Sequence, residues 1–272
     1  MKTERELLFK RLNERFVRAF VTYSLLADGD HILIGLSGGK DSLLLTELLA
    51  KRARINHPAF RVDAVHVRME NVSYETSTDY LQQFCDSLGV PLHIVTTSFS
   101  SNPSPITTHP SPLTTHPSPI TTHPSPFTTH PSPKEKPPCF LCSWYRRKEL
   151  FNLAQELGCN KIALGHHRDD IIHTTLMNLT FQGRFGTMPA LLRMRKMPLT
   201  IIRPLCLIDE ADIRHYATLA GYQKLQKLCP YEHETNRTEI AKLYAAMEKI
   251  NPEARYSIWK ALEAEGKLTE EY

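Results

Sequence analysis

The stretch Ser37-Gly-Gly-Lys-Asp-Ser42 constrains this chain more than any other, because of what flanks it. Before it lies a short apolar run with β-branched residues, over 31–36, which reads as a buried strand. After it, Leu43-Leu-Leu-Thr-Glu-Leu-Leu-Ala50 has the spacing and length of a helix. A strand that turns through two glycines into a helix makes a loop suited to anions. The glycines let the backbone approach closely, and the helix N-terminus adds its positive dipole end. Lys40 supplies a cation, and Ser37 and Ser42 supply hydroxyl donors. Asp41 is the odd member: a carboxylate in such a cradle indicates a helix cap or a metal bridge. The spacing is that of neither G-x-x-x-x-G-K-S/T nor G-x-G-x-x-G. A plain Gly-Gly turn with a serine cap is the bland alternative, and the flanking strand and helix weigh against it.

The remaining chain repeats the alternation. An amphipathic helix over 3–27 places Leu8, Leu12, Phe16, Ala19 and Tyr23 near one face, as a packing helix would. Its Lys10, Arg11, Arg15 and Arg18 are also candidates for a phosphate backbone. Strands are predicted at 61–67, 90–96 and 199–203, with a further strand, a turn and a helix start over 161–170. Helices are predicted to Arg54, at 78–88, 143–157, 171–181 and 209–219, and as a pair over 236–262 split at Asn251-Pro252. The stretch 182–196 reads as a Gly- and Arg-containing loop. Alternating strands and helices predict an α/β fold, a parallel sheet covered on both faces, with a C-terminal helical extension. Nucleotide then belongs at the carboxyl ends of the strands.

From Thr107 to Pro133, Thr-Thr-His-Pro-Ser-Pro recurs four times at a period of seven. Dense proline excludes helix and central strand, so about 100–137 is expected to be a disordered or polyproline-like insertion. His109, His116, His123 and His130 are within reach of collecting a metal on paper, but expansion of a tandem repeat explains them more simply. The expected organisation is an N-terminal helix (1–28), a nucleotide-binding domain in two parts (29–99 and 138–235) around the insertion, and C-terminal helices (236–272).

No apolar run has the length of a membrane span and no signal segment opens the chain, so no membrane partner and a cytoplasmic setting are expected. Six cysteines in that setting are expected to be reduced. Cys139-x-x-Cys142 suits a redox pair, half a zinc site or half an iron–sulfur site. Cys229 can complete either metal site: three cysteines leave one position open for exogenous sulfur, whereas adding His233 makes a Cys₃His zinc set. Cys85, Cys159 and Cys206 stand alone and read as buried structural thiols. A net charge of +4 permits a nucleic-acid partner without demanding one.

Ser37–Ser42, placed after the first strand, resembles the pyrophosphate (PP) loop of the N-type ATP pyrophosphatases, which cleave ATP between its α and β phosphates and pass AMP to a substrate oxygen. The further series Pro138-Cys-Phe-Leu-Cys142, Arg146-Arg147, Gly165-His-His-Arg-Asp-Asp170, Arg203-Pro-Leu205 and a late cysteine is, in that order, similar to the tRNA 2-thiocytidine biosynthesis (TtcA-type) family. The likeness covers nearly the whole chain apart from the repeat. It implies an ATP- and iron–sulfur-dependent tRNA sulfurtransferase. Its cofactors are ATP, Mg²⁺ and a 4Fe–4S cluster held by Cys139, Cys142 and Cys229, with one iron free of protein ligands. ATP would adenylate the C2 oxygen of cytidine 32 in the anticodon loop, and sulfur at the free iron would displace AMP. The sulfur donor would be a cysteine desulfurase or a persulfide carrier, and a homodimer is compatible with the family.

Roles follow position by position. Ser37, Gly38, Gly39 and Ser42 would bind the β- and γ-phosphates, and Lys40 would stabilise the leaving pyrophosphate. Asp41 with Asp169 or Asp170 would carry Mg²⁺, helix capping being the bland reading of the last two. His66, Gly165 and His166 would line the nucleotide, with His167 in the same region. Arg146, Arg147, Arg184, Arg193, Arg195 and Lys196 are candidate tRNA phosphate contacts, the group at 193–196 foremost. Two departures stand out: relatives carry a second late cysteine pair where this chain has only Cys229, with Gln226 three residues before, and the repeat is foreign to the family. The rival readings are an adenylating ligase like lysidine synthetase with a structural Cys₃His zinc site, and a non-catalytic ATP- or metal-binding module.

Overall fold

In the computed structural model, which describes residues 2–55, 57–70, 72–74, 78–98, 138–225, 227–228 and 236–271, strand β1 (His31–Gly35) sets the layering of the molecule. Successive strand side chains point to opposite faces. Ile32 and Ile34 accordingly enter one core and Leu33 another. The neighbours follow suit: Ala64 and Ala163 join the first core, Val65 and Ile162 the second. Continuous apolar runs, rather than polar–apolar alternation, are what a sheet buried on both faces requires.

The first core is built by α1 (Glu4–Tyr23), α2 (Lys40–Ala53), α3 (Asp79–Leu88), α6 (Glu210–Ala220) and α8 (Ala254–Ala264). The second face is covered by α4 (Pro138–Glu156) through Leu150 and Ala154. Helices α5 (Arg168–Gln182) and α7 (Asn236–Ile250) pack together through Ile172, Leu176, Ile240 and Tyr244. The five anticipated residues of α1 are all buried, and Asn251-Pro252 does separate α7 from α8.

The main sheet also contains β2 (Arg61–Met69), β4 (Leu92–Thr97), β5 (Lys161–Ala163), β6 (Leu191–Arg193), β7 (Thr200–Ile202) and β9 (Thr269–Glu271). Its order is β4-β2-β1-β5-β7-β6-β9. All pairings are parallel except β6 with β7, so the expected wholly parallel sheet needs that one correction. A two-stranded ribbon joins β3 (Ser73–Tyr74) to β8 (Lys227–Leu228). From β1 the chain builds outward to β2 and β4, then returns to lay β5 and β7 on the other side. That reversal makes β1/β5 the topological switch point, where open α/β sheets leave a crevice.

Two helix boundaries and two strands depart most from expectation. Helix α1 stops at Tyr23, where Ser24 turns left-handed (φ 52°) and bonds back to Phe20. Helix α4 begins at Pro138 rather than 143, since proline is favoured at a first helical position where no N–H is needed. The 182–196 loop contains β6, and β9 completes the edge; strands of three residues are too short to show a period. The repeat, Cys229 and His233 lie outside the described residues.

Candidate active site

The loop after β1 is shaped by two close approaches. Gly38 takes φ +82°, and a Cβ there would stand 2.6 Å from Leu225 Cβ. Leu225 N–H donates to the Gly38 carbonyl at 3.0 Å, so the segment after α6 is laid directly on the loop. Gly39 is the N-cap of α2 and offers no side-chain cap, which leaves the first N–H groups of that helix directed at whatever anion enters. Ser37 and Ser42 hydroxyls meet at 3.1 Å, and Ser42 Oγ also donates to the Gly39 carbonyl at 2.9 Å.

Lys40 opens α2. Its Nζ lies 3.0 Å from both Asp41 carboxylate oxygens and 3.1 Å from Glu210 Oε1. Burial works to lower the ammonium pKa, but the two carboxylates outweigh it and the net shift is upward. Glu210 shows the reciprocal effect. Burial would raise its carboxyl, but Lys40 first and then Arg214 hold it down at about 2. Sequence reasoning missed Glu210. Its only local signal is an acidic residue in the first turn of α6, which any helix N-terminus favours.

The loop after β5 closes against this one. A Cβ on Gly165 would stand 3.1 Å from Ser42 N and 3.2 Å from the Asp41 carbonyl carbon, so any side chain there would press the two segments apart by a few tenths of an ångström. His167 caps α5: its Nδ1 accepts from Asp170 N–H at 3.4 Å, and its own N–H donates to Asp170 Oδ2 at 3.2 Å. Its Nε2 is 3.8 Å from Asp41 Oδ1, and its Nδ1 is 3.6 Å from Asp169 Oδ2. Asp169 Oδ2 in turn accepts from Glu210 N–H at 2.8 Å. Asp41, Asp169, Asp170 and His167 therefore gather beside Lys40, and the capping reading holds for Asp170. Among the described residues no three His, Cys, Asp or Glu side chains converge so as to hold a metal.

Two further histidines stand on this side. His66, 3% exposed, donates from Nδ1 to the Leu36 carbonyl at 2.8 Å. Burial lowers its pKa, and the charges of Arg146 and Arg68 add to that. His166 accepts at Nδ1 from Arg203 Nε at 3.3 Å. Burial and then the Arg203 charge push its imidazole down to about 4, so it is neutral at pH 7.

Helix α4 brings the cysteines to the same end. Its C-terminus adjoins the start of β1, where Asn160 N–H donates to the His31 carbonyl at 3.0 Å, while Arg146 at its middle already acts on His66, level with the end of β1. The helix thus runs antiparallel to the strands, with Cys139 and Cys142 in its first turns at the carboxyl end of the sheet. Cys139 is exposed and Cys142 half-buried. Cys85, Cys159 and Cys206 are buried, as expected, and burial pushes their thiols up to about 12, 11 and 12.

The basic candidates divide. Arg11 is 2.6 Å from Asp212, and Arg15 is 2.8 Å from Asp212 and 3.0 Å from Asp209, so these two arginines pin α1 to α6. Arg193 lies opposite Thr200, the first residue of β7, which sets the 193–196 group at the amino end of the sheet, away from the loop. That group is exposed but not part of this site.

A PP-loop domain family matches residues 9–106. The tRNA-cytidine(32) 2-sulfurtransferase of Bordetella avium is 32% identical over 256 residues, covering 94% of this chain and 73% of the relative. The enzyme of the same description from Pelobacter propionicus is 34% identical over 263 residues, covering 94% and 86%. Among solved structures, the U34-tRNA thiolase NcsA from Methanococcus maripaludis with its 4Fe–4S cluster superposes with a TM-score of 0.65 at 23% identity, covering 96% of this chain and 79% of that one. That likeness establishes a common fold.

Proposed function

This chain belongs to the tRNA-cytidine(32) 2-sulfurtransferase family, and from that membership we propose that it catalyses ATP-dependent 2-thiolation of a cytidine in tRNA, cytidine 32 of the anticodon loop. The observation that carries the reading is convergence: the Ser37–Ser42 loop and the Cys139–Cys142 turn stand at one end of one sheet.

The loop backbone and the Ser37 and Ser42 hydroxyls bind the β- and γ-phosphates. The C2 oxygen of the base attacks the α-phosphorus, the bond to the β-phosphate oxygen breaks, and pyrophosphate leaves against Lys40. Addition of a sulfur nucleophile at C2 then expels AMP with the original oxygen. Neutral His166 presents no positive charge to compete with Lys40 for the phosphates. Mg²⁺ bound with ATP asks for only one or two carboxylates beside phosphate oxygens, and Asp41 with Asp169 or Asp170 can provide them.

The donor set fits an iron–sulfur cluster. Cys139 and Cys142 are accessible thiols three residues apart on one helix, unlike the three buried thiols, and Cys229 follows β8 in the chain. A 4Fe–4S cluster held by Cys139, Cys142 and Cys229 would supply the sulfur chemistry. A sulfur donor of the desulfurase or persulfide-carrier class, a homodimer, a cytoplasmic setting and the domain division given above belong to the same proposal. No helix among the described residues is long and apolar enough to cross a membrane.

The test is compositional and then kinetic. Protein purified without oxygen should contain about four irons and four sulfides per chain and be brown. It should release pyrophosphate from ATP when tRNA is present and leave 2-thiocytidine in that tRNA. Lys40→Ala should stop pyrophosphate release and keep the colour, while Cys142→Ala should lose the colour and still bind ATP. Full thiolation by Cys142→Ala would overturn the mechanism.

A further inference from the structure

Helix α4 has two dissimilar faces. One aligns Cys139, Cys142 and Arg146 on the stripe of Leu150, which packs against the sheet. The other carries Phe140, Trp144 and Lys148 at i, i+4 and i+8, with Arg147 alongside, so these side chains form one outward ridge. Phe140 is 44% exposed, Trp144 is half-buried, and Arg147 and Lys148 are exposed. Lys148 Nζ stands 5.7 Å from the centroid of the Trp144 ring. Tyr145 meets Trp144 edge-on at 4.9 Å and 84°, which holds the indole in a fixed orientation. The ridge residues themselves belong to neither sheet core; α4 reaches the second core in the turns that follow, through Leu150, Phe151 and Ala154.

Exposed aromatic faces interleaved with cations are the chemistry that takes unpaired nucleotides: bases stack on the rings while phosphates meet the charges. A paired stem keeps its base faces hidden and has no use for such rings. We propose that the Phe140–Trp144–Lys148 ridge, with Arg147, is a stacking platform for unpaired bases of the tRNA anticodon loop that flank the target cytidine. The target itself goes to the other face of α4, where the cysteines and the nucleotide loop stand, so the helix separates neighbour from target. This inference rests on the tRNA reading above.

The chain has two tryptophans, and Trp259 is 7% exposed and bonded to Tyr23, so ligand quenching of the intrinsic fluorescence reports Trp144. The full-length protein, purified without oxygen, is titrated with an anticodon stem-loop RNA and with a blunt RNA duplex of equal length. Quenching by the stem-loop and not by the duplex is expected. Trp144→Ala should weaken stem-loop binding roughly tenfold to a hundredfold, with ATP binding and visible spectrum unchanged, and Trp144→Phe should recover most of the loss. Equal quenching by the duplex, or stem-loop binding unaltered in Trp144→Ala, overturns the platform. The wild-type titration decides the question even if the alanine variant folds poorly. A wild-type protein that binds stem-loop RNA without quenching also refutes the platform while leaving thiolation intact; one that neither binds nor thiolates tRNA refutes the underlying reading instead.

Discussion

Lys40 and His166 show how single residues in this site acquire their charge states from partners far away in the chain. Lys40 stays cationic because Asp41 and Glu210 outweigh its burial. His166 stays neutral because it is buried beside Arg203, with Asp170 offsetting only part of that. A base whose pKa is lowered on folding binds protons better when unfolded, so folding free energy falls as pH drops from 6.5 toward about 4 and is fully retained above 6.5. His166→Asn should remove that slope. Across this window wild type should lose roughly 1–3 kcal/mol of stability relative to the variant, read as midpoint temperature against pH. Parallel curves would assign the titration elsewhere. Both residues were legible as candidates from their place after a strand, but their electrostatics were not. Those come from Glu210 and Arg203, which no local spacing ties to the loop.

Among elements, the decisive contact is at the start of α6. Its N-cap, Asp209, is 7% exposed and is approached by Arg15 of α1 at 3.0 Å, Arg168 of α5 at 3.0 Å and Arg255 of α8 at 3.1 Å. Arg168 also lies over Tyr256 and Trp259, so the hub is closed on its aromatic side. Because Glu210 follows directly, the hub also sets where Lys40 finds its second carboxylate. Asp209→Ala should destabilise the protein by about 3–5 kcal/mol, because it strands buried guanidinium charge. Arg15→Ala should cost clearly less, because two arginines remain. Urea denaturation of the pair checks both, and equal midpoints would dismiss the hub. The helices themselves were legible from apolar spacing, and the structure ends α3 and α6 on left-handed glycines, Gly89 and Gly221. The hub was not, since its members come from four separate segments.

At the scale of the whole molecule, function depends on two strand-end loops meeting at the β1/β5 switch point. Gly165 is where they touch, and the atoms a side chain would meet are backbone, which cannot swing aside. Gly165→Ala should therefore push the loop after β5 away from Ser42. The expected result is at least a tenfold rise in the KM for ATP, on the order of 1.4 kcal/mol, with the far-ultraviolet dichroism of wild type. An unchanged KM would mean that the loops work independently.

The sequence by itself determined the strand–glycine loop–helix unit, the alternation that makes an α/β sheet, the apolar face of α1 and the three buried thiols. Each of these is written in neighbouring residues, through periodicity or through the φ freedom of glycine. Only the tertiary structure decided that β6 runs antiparallel, that β9 closes the edge, that Arg193–Lys196 fall at the far end of the sheet, and that Glu210, Leu225 and Asp209 serve the loop. Those outcomes follow from strand order and from which helices share a face. Strand order is selected by the summed burial of many side chains, and no single stretch of chain carries that sum.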